Sequence, residues 1–166
     1  RQQFGEEQAA EAARILNLYS KYAGRVTPEM LDRNTYNLET GEWKQVADEY
    51  QRLETRALRL YAKLPADMHD FYRQLILFPV QAMANLYDMY YAQAMNQYLA
   101  ERNLPEANEW ADKVAECFER DAELCLSYNK DIAGGKWNGM MIQKHIGYTS
   151  WNDNFRADIQ PATKKV

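Results

Sequence analysis

The chain has 166 residues, of which 27% are charged and 46% are hydrophobic, and its formal net charge at pH 7 is −4. This balance is typical of one globular domain rather than of a disordered chain. No block of lysine and arginine is present, and no apolar run approaches the roughly 20 residues that cross a bilayer, so the composition argues against nucleic-acid binding and against a membrane span.

The hydrophobic spacing predicts long amphipathic helices from the N-terminus onwards. A first helix is expected over about residues 4–23, where apolar side chains fall on one side. Residues 42–64 have apolar side chains at alternating three- and four-residue steps. Thr40 is the predicted N-cap of this second helix, and Pro65 is expected to end it, because proline cannot continue the helical hydrogen bonds.

The longest predicted helix covers roughly residues 66–102 and is apolar on nearly all sides. Such a helix is typical of the central member of a bundle. Pro79 falls inside it and is expected to kink it or divide it into two, because proline removes one backbone hydrogen bond and crowds the preceding turn.

The last predicted helix covers residues 104–133, and its apolar spacing is broken only by Asp121. Asn103 and Glu106 have the spacing of a capping box at its start, and Gly134 is expected to end it. No strand-like alternation of useful length is present. Because the connections between these amphipathic helices are short, we predict an all-α, up-and-down antiparallel bundle of four to five helices.

The C-terminal segment differs from the helices in composition and spacing. We therefore divide the single domain into a helical bundle, residues 1–133, and an irregular tail, residues 134–166, which is rich in Trp, Tyr, Asn, Gln and His. Aromatic rings stack on sugars and amides bond to hydroxyl groups, so this composition suits carbohydrate recognition. The alternative is that the large apolar residues of the tail close the end of the bundle; these are Trp137, Met140, Met141, Ile142 and Ile146.

The residues predict neither a catalytic site nor a metal site in this chain. Di-metal bundles use Glu-x-x-His motifs, and neither His69 nor His145 has an acid three residues before it. No nucleophile elbow and no phosphate-binding loop is present. Cys117 and Cys125 would lie about 12 Å apart along a helix, too far for a disulfide, and are predicted to be free thiols. We expect no metal ion and no organic cofactor.

Two stretches of the tail, residues 135–141 (GKWNGMM) and 143–149 (QKHIGYT), together with Trp151, form one long motif. This motif resembles the helical domain of glycoside hydrolase family 115, the xylan α-1,2-glucuronidases. The opening residues 1–5 (RQQFG) are similar to that family as well. The sequence departs from the family at Gly139, where His is frequent, and any role of that position is therefore in question.

The resemblance implies a longer enzyme in which a (β/α)-barrel upstream carries the catalytic carboxylates and a β-rich domain follows. This chain would be a non-catalytic helical accessory domain between them, without cofactors, in an extracellular or periplasmic enzyme that acts on glucuronoxylan and is able to form homodimers. The substrate-binding residues that follow are Trp137, Tyr148 and Trp151 as stacking faces, with Asn138 and His145 as hydrogen-bonding groups.

A helical oligomerisation or protein-interaction module is the alternative function. The sequence contains 12 tyrosines and 7 methionines. Both residue types are enriched at protein interfaces, so a helix face rich in them would favour self-association.

Overall fold

A computed structural model describes residues 5–136, 138–141, 145–147 and 157–166. Within these ranges the chain is helical and contains no strand, which confirms the all-α prediction. The helices are α1 (Glu6–Ala23), α2 (Glu42–Tyr61), α3 (His69–Tyr72), α4 (Phe78–Ala100) and α5 (Ala107–Lys130). Short 3-10 turns occupy Pro28–Met30, Ala66–Met68 and Ile132–Gly135. None of the helices in the described ranges is long and apolar enough to span a lipid bilayer.

The four long helices run antiparallel to their neighbours in sequence. Asn85, near the start of α4, donates a hydrogen bond to the carbonyl of Cys117, whereas Asn96, near its end, donates to Ala107 at the start of α5. The same reversed order of contacts holds between α1 and α2 and between α2 and α4. The bundle is therefore up-and-down, as predicted, with α4 packed between α2 and α5.

The core between α2 and α4 is aromatic. Trp43 and Tyr50 of α2 and Tyr87 of α4 are fully buried, and the rings of Tyr50 and Tyr87 lie 4.2 Å apart. Tyr36, from the loop before α2, adds an edge-on contact to Trp43. No tyrosine in the described part of the chain is fully exposed, and five of them are buried, so much of the tyrosine content contributes to the core.

Pro79, which the sequence predicts to kink the longest helix or divide it into two, lies where the helix changes from π to α geometry without a break. The turns over Arg73–Leu77 are π-helical, and α4 begins at Phe78 with Pro79 in its first turn. Proline has no N–H to donate and its ring crowds the carbonyl four residues earlier, so the wider π turn accommodates it at the junction between α3 and α4.

Both predicted N-caps are wrong. Helix α2 follows Gly41, whose φ is 79°, without a side-chain cap, and the N–H of Thr40 instead donates to the side chain of Asn37. Helix α5 begins at Ala107, again without a side-chain cap. Asn103 has a φ of 55°, a left-handed conformation that asparagine tolerates, and this residue therefore makes the turn after α4 rather than capping α5.

Candidate functional site

Three asparagines of the bundle hold the backbone of the tail. The side-chain amide of each donates a hydrogen bond to the carbonyl of one tail residue, and its oxygen accepts the N–H of the same residue. The pairs have N···O distances of 2.8–3.2 Å and are Asn96 with Lys164, Asn108 with Val166, and Asn129 with Met141. Because two bonds to one residue fix both position and direction, these asparagine anchors define the course of the tail over α4 and α5.

A second set of bonds joins two parts of the tail to each other. The Asp158 carboxylate oxygen Oδ1 accepts the N–H groups of both His145 and Ile146 at 2.8 Å. The Ile159 N–H donates to the carbonyl of Ile146 at 3.2 Å. At Gly147 φ is 70° and a Cβ atom would lie 3.1 Å from the Ile159 carbonyl oxygen, so both backbone angle and space favour glycine there.

These bonds place His145 between two carboxylates. Its Nε2 atom lies 2.8 Å from Oδ2 of Asp121 on α5, and its Nδ1 atom lies 3.5 Å from Oδ2 of Asp158 in the tail. Asp121 is only 3% exposed, and its second oxygen, Oδ1, has no hydrogen-bond partner among the residues that the structure describes. A buried carboxylate with one unpaired oxygen is costly, so a cation bound to this side chain would be favourable.

Cys125 lies one helical turn after Asp121 on α5 and joins the cluster. The candidate ligand atoms of Asp121, Cys125 and His145 all lie within 4.8 Å of one another. Burial, together with the negative charges of Asp121 and Asp158, raises the pKa of the Cys125 thiol to about 12. Without a nearby cation this thiol is therefore protonated at neutral pH and is a poor nucleophile. Both cysteines are free, as predicted.

Two cavities meet at His145, which lines both of them. One has a volume of about 360 Å³ and reaches Cys125, and the other has a volume of about 530 Å³ and reaches Tyr90. Both volumes fall in the range of small-molecule sites. The cluster is thus accessible from the protein surface, although the carboxylate of Asp121 is buried.

The structure describes only two of the five predicted substrate-binding residues. Trp137, Tyr148 and Trp151 lie outside the described residues. Asn138 is exposed in a turn after the last 3-10 helix, and its backbone N–H donates to the carbonyl three residues earlier at 3.0 Å. His145 is half-buried against the two carboxylates. Substrate binding stays a prediction for all five.

The alternative interpretation of the tail, as an apolar closure of the bundle, is correct only in part. Ile146 is fully buried and packs in the main core cluster. Met140 and Met141, however, are 60% and 36% exposed, because the Asn129 anchor holds Met141 by its backbone and not by its side chain. Ile142 lies outside the described residues.

Several residues that build this site are missed by sequence reasoning. Asp121 interrupts the apolar spacing of α5, and a carboxylate on the core side of a helix is a signal that a buried partner exists. Asp158, Asn96 and Asn129 give no comparable signal, because asparagine and aspartate are ordinary surface residues. No protein-family model matches the sequence, and no curated protein is significantly similar to it. A functional assignment therefore rests on the tail motif and on the geometry of the tail.

Proposed function

We propose that the chain is a non-catalytic helical accessory domain of a xylan α-1,2-glucuronidase-like glycoside hydrolase, and that its tail supports the active-site cleft beside a barrel domain. The observation that carries the proposal is the hydrogen bonding of the backbone at Met141, His145 and Ile146, in the part of the tail that the structure describes. These three residues lie within the motif that resembles family 115, and their backbone bonds join Met141 to Asn129 and both His145 and Ile146 to Asp158. A recognition segment that is held in this way loses little conformational entropy when it contacts a ligand.

The exposed end of the motif favours the same function. Asn138 and Met140 are exposed, while the backbone of the neighbouring Met141 is hydrogen-bonded to Asn129 of the bundle. A rigid element that presents polar and apolar side chains is suited to the edge of a sugar-binding cleft, because hydroxyl groups need directed partners and ring faces need apolar ones. The barrel would be upstream in the same chain, a β-rich domain downstream, and the enzyme extracellular or periplasmic.

The proposal is tested by uronic acid release from glucuronoxylan. In the multidomain enzyme that contains this domain, combining Asn138→Ala with Tyr148→Ala is expected to lower turnover about ten- to hundred-fold, because one directed hydrogen bond and one stacking face are lost. Circular dichroism of the variant checks that it folds as the unchanged enzyme does.

The matched control is Asn17→Ala, which removes an exposed asparagine from α1 and should leave turnover unchanged. If the tail variant folds normally and retains full turnover, the tail does not contribute to the cleft and the domain is a scaffold or a dimer contact. An unchanged enzyme that releases no uronic acid would contradict the substrate assignment, and the first position to reconsider would be Gly139.

An oligomerisation module is the second candidate, and exposed apolar side chains favour it. Phe71 and Leu75 lie four residues apart and are 39% and 48% exposed, and Leu126 of α5 is 52% exposed. Covering such exposed apolar side chains with a partner lowers the free energy of association. Sedimentation of the chain at several concentrations separates the two functions, because a chain that is monomeric at every concentration contradicts the oligomerisation function.

A further inference from the structure

Three side chains with metal-binding atoms meet where the tail crosses α5. Asp121 and Cys125 lie one turn apart on the helix, and His145 reaches them from the tail. We propose that these three residues form a binding site for a divalent ion of the Zn²⁺ class. This inference goes beyond the proposed function, which involves no metal ion.

The set of donor atoms selects the class of ion. A thiolate, an imidazole and a carboxylate are the ligands that Zn²⁺ and Co²⁺ prefer, whereas Mg²⁺ and Ca²⁺ prefer oxygen atoms alone. Three protein ligands leave the fourth tetrahedral position for a water molecule. That position would face the cavity of about 360 Å³ that Cys125 and His145 both line.

The distances are close to those of a formed site. Around a tetrahedral ion with bonds of about 2.0–2.3 Å, neighbouring ligand atoms lie about 3.3–3.5 Å apart. The Asp121 Oδ2 and His145 Nε2 atoms are 2.8 Å apart, and all three ligand atoms lie within 4.8 Å. The first pair has to open by about 0.5 Å and the thiol has to move inward, changes that small side-chain rotations provide.

The buried charge of Asp121 gives independent support. Its side chain is buried on α5, and its Oδ1 atom has no hydrogen-bond partner within the described ranges. A cation would compensate the cost of burying this carboxylate. The charges would also balance, because one carboxylate and one thiolate neutralise a divalent ion while the imidazole stays neutral.

Asp158 occupies the position of an outer carboxylate. Its Oδ2 atom lies 3.5 Å from Nδ1 of His145, the ring nitrogen that points away from Asp121, while its Oδ1 atom is fixed by two backbone N–H groups. Histidines that bind zinc generally have such a carboxylate or carbonyl behind them, which fixes the tautomer and the ring orientation.

An ion pair between Asp121 and His145 alone is the competing interpretation. It accounts for Oδ2 of Asp121 and for the attachment of the tail to α5. It leaves the unpaired Oδ1 atom and the thiol at the same place without a role. A metal ion bound by Oδ2 of Asp121 uses the thiol and the imidazole together and compensates the charge of the buried carboxylate, and the structure therefore favours the site.

The experiment is a titration of the metal-free chain with Co²⁺, followed by absorption spectroscopy. We expect one ion per chain, with visible bands of tetrahedral intensity and a thiolate-to-cobalt charge-transfer band in the near ultraviolet, and displacement by Zn²⁺. Cys125→Ser should abolish the charge-transfer band. Cys117→Ser is the matched control, since it changes a buried cysteine of the same helix and should leave the band intact.

Asp158→Asn should weaken Co²⁺ binding about 10–100-fold while the charge-transfer band remains, because it removes the negative charge behind His145 and leaves an amide oxygen that can still accept the N–H groups of His145 and Ile146. Alkylation of Cys125 in the unchanged chain provides a measurement that no substitution can affect through folding. We expect this alkylation to be slower in the presence of Zn²⁺ than in the presence of a chelator. Absence of the cobalt–thiolate band, or a band that survives in Cys125→Ser, would overturn the site and leave an ion pair only. Neither result depends on uronic acid release, so the two proposals fail separately.

Discussion

Replacing Trp43 with alanine is expected to lower the free energy of unfolding by about 3–5 kcal/mol. The side chain is fully buried, and its ring contacts those of Tyr36, Tyr87 and Tyr91. Its indole N–H donates a hydrogen bond of 2.9 Å to the carbonyl of Arg33, which holds the loop before α2 against the bundle. Alanine leaves a cavity among these rings and a carbonyl without its donor. Urea denaturation followed by circular dichroism measures the loss.

Two further variants separate the contributions at this position. Trp43→Phe keeps most of the packing but removes the hydrogen bond, so its loss of stability should be smaller than that of alanine. Leu58→Ala changes an apolar side chain on the same helix that is 41% exposed, and it should cost less than about 1 kcal/mol. If Trp43→Ala were no more destabilising than Leu58→Ala, the aromatic core would not be the main source of stability of α2.

The sequence predicted the helices well where burial decides the outcome. Trp43, Tyr50 and Leu53 belong to the predicted apolar side of the second helix, and all three are buried. The longest helix changes from π to α geometry next to Pro79 for a purely local reason, because the proline ring excludes a regular helical turn before it. In both cases the physical cause lies within a few residues of its effect, and a single sequence contains the necessary information.

The helix starts were less predictable because several residues compete for the same task. Asn103 has capping-box spacing with Glu106, yet asparagine also tolerates a left-handed backbone, and here the turn after α4 uses that property. Thr40 similarly precedes a helix, but Gly41 supplies the positive φ that changes the chain direction. Local propensity allowed both outcomes, and the packing of the loops selected one.

The candidate site could not be predicted because its parts lie far apart in the sequence. His145 is brought to Asp121 by the course of the tail, and that course depends on amide side chains such as Asn129. Asparagines on a helix surface have no spacing rule that predicts a backbone partner more than ten residues away. Only the break in apolar spacing at Asp121 indicated a polar contact inside the bundle, and it did not identify the partner.

Replacing Asn96 with alanine is expected to cost about 2–4 kcal/mol and to loosen the end of the tail. The side chain is fully buried, and its amide donates to the carbonyls of Ala107 and Lys164 at 2.7 and 2.8 Å. Its oxygen accepts the N–H of Lys164 at 2.9 Å. Alanine would remove all three bonds, of which the one to Ala107 is buried and the two to Lys164 are part-buried. Urea denaturation measures the loss of stability, and amide hydrogen exchange at Lys164 measures the release of the tail.

The matched control is Asn108→Ala, which removes an anchor with the same two bonds to a single tail residue, Val166. These bonds are exposed, so water replaces them, and the expected cost is below about 1 kcal/mol. Equal losses of stability for the two variants would mean that burial does not determine how much an asparagine anchor contributes to the free energy of unfolding. A larger loss at Asn96 is expected from its burial and from its third bond, to Ala107, since the two bonds that each asparagine makes to the tail are alike in number and length.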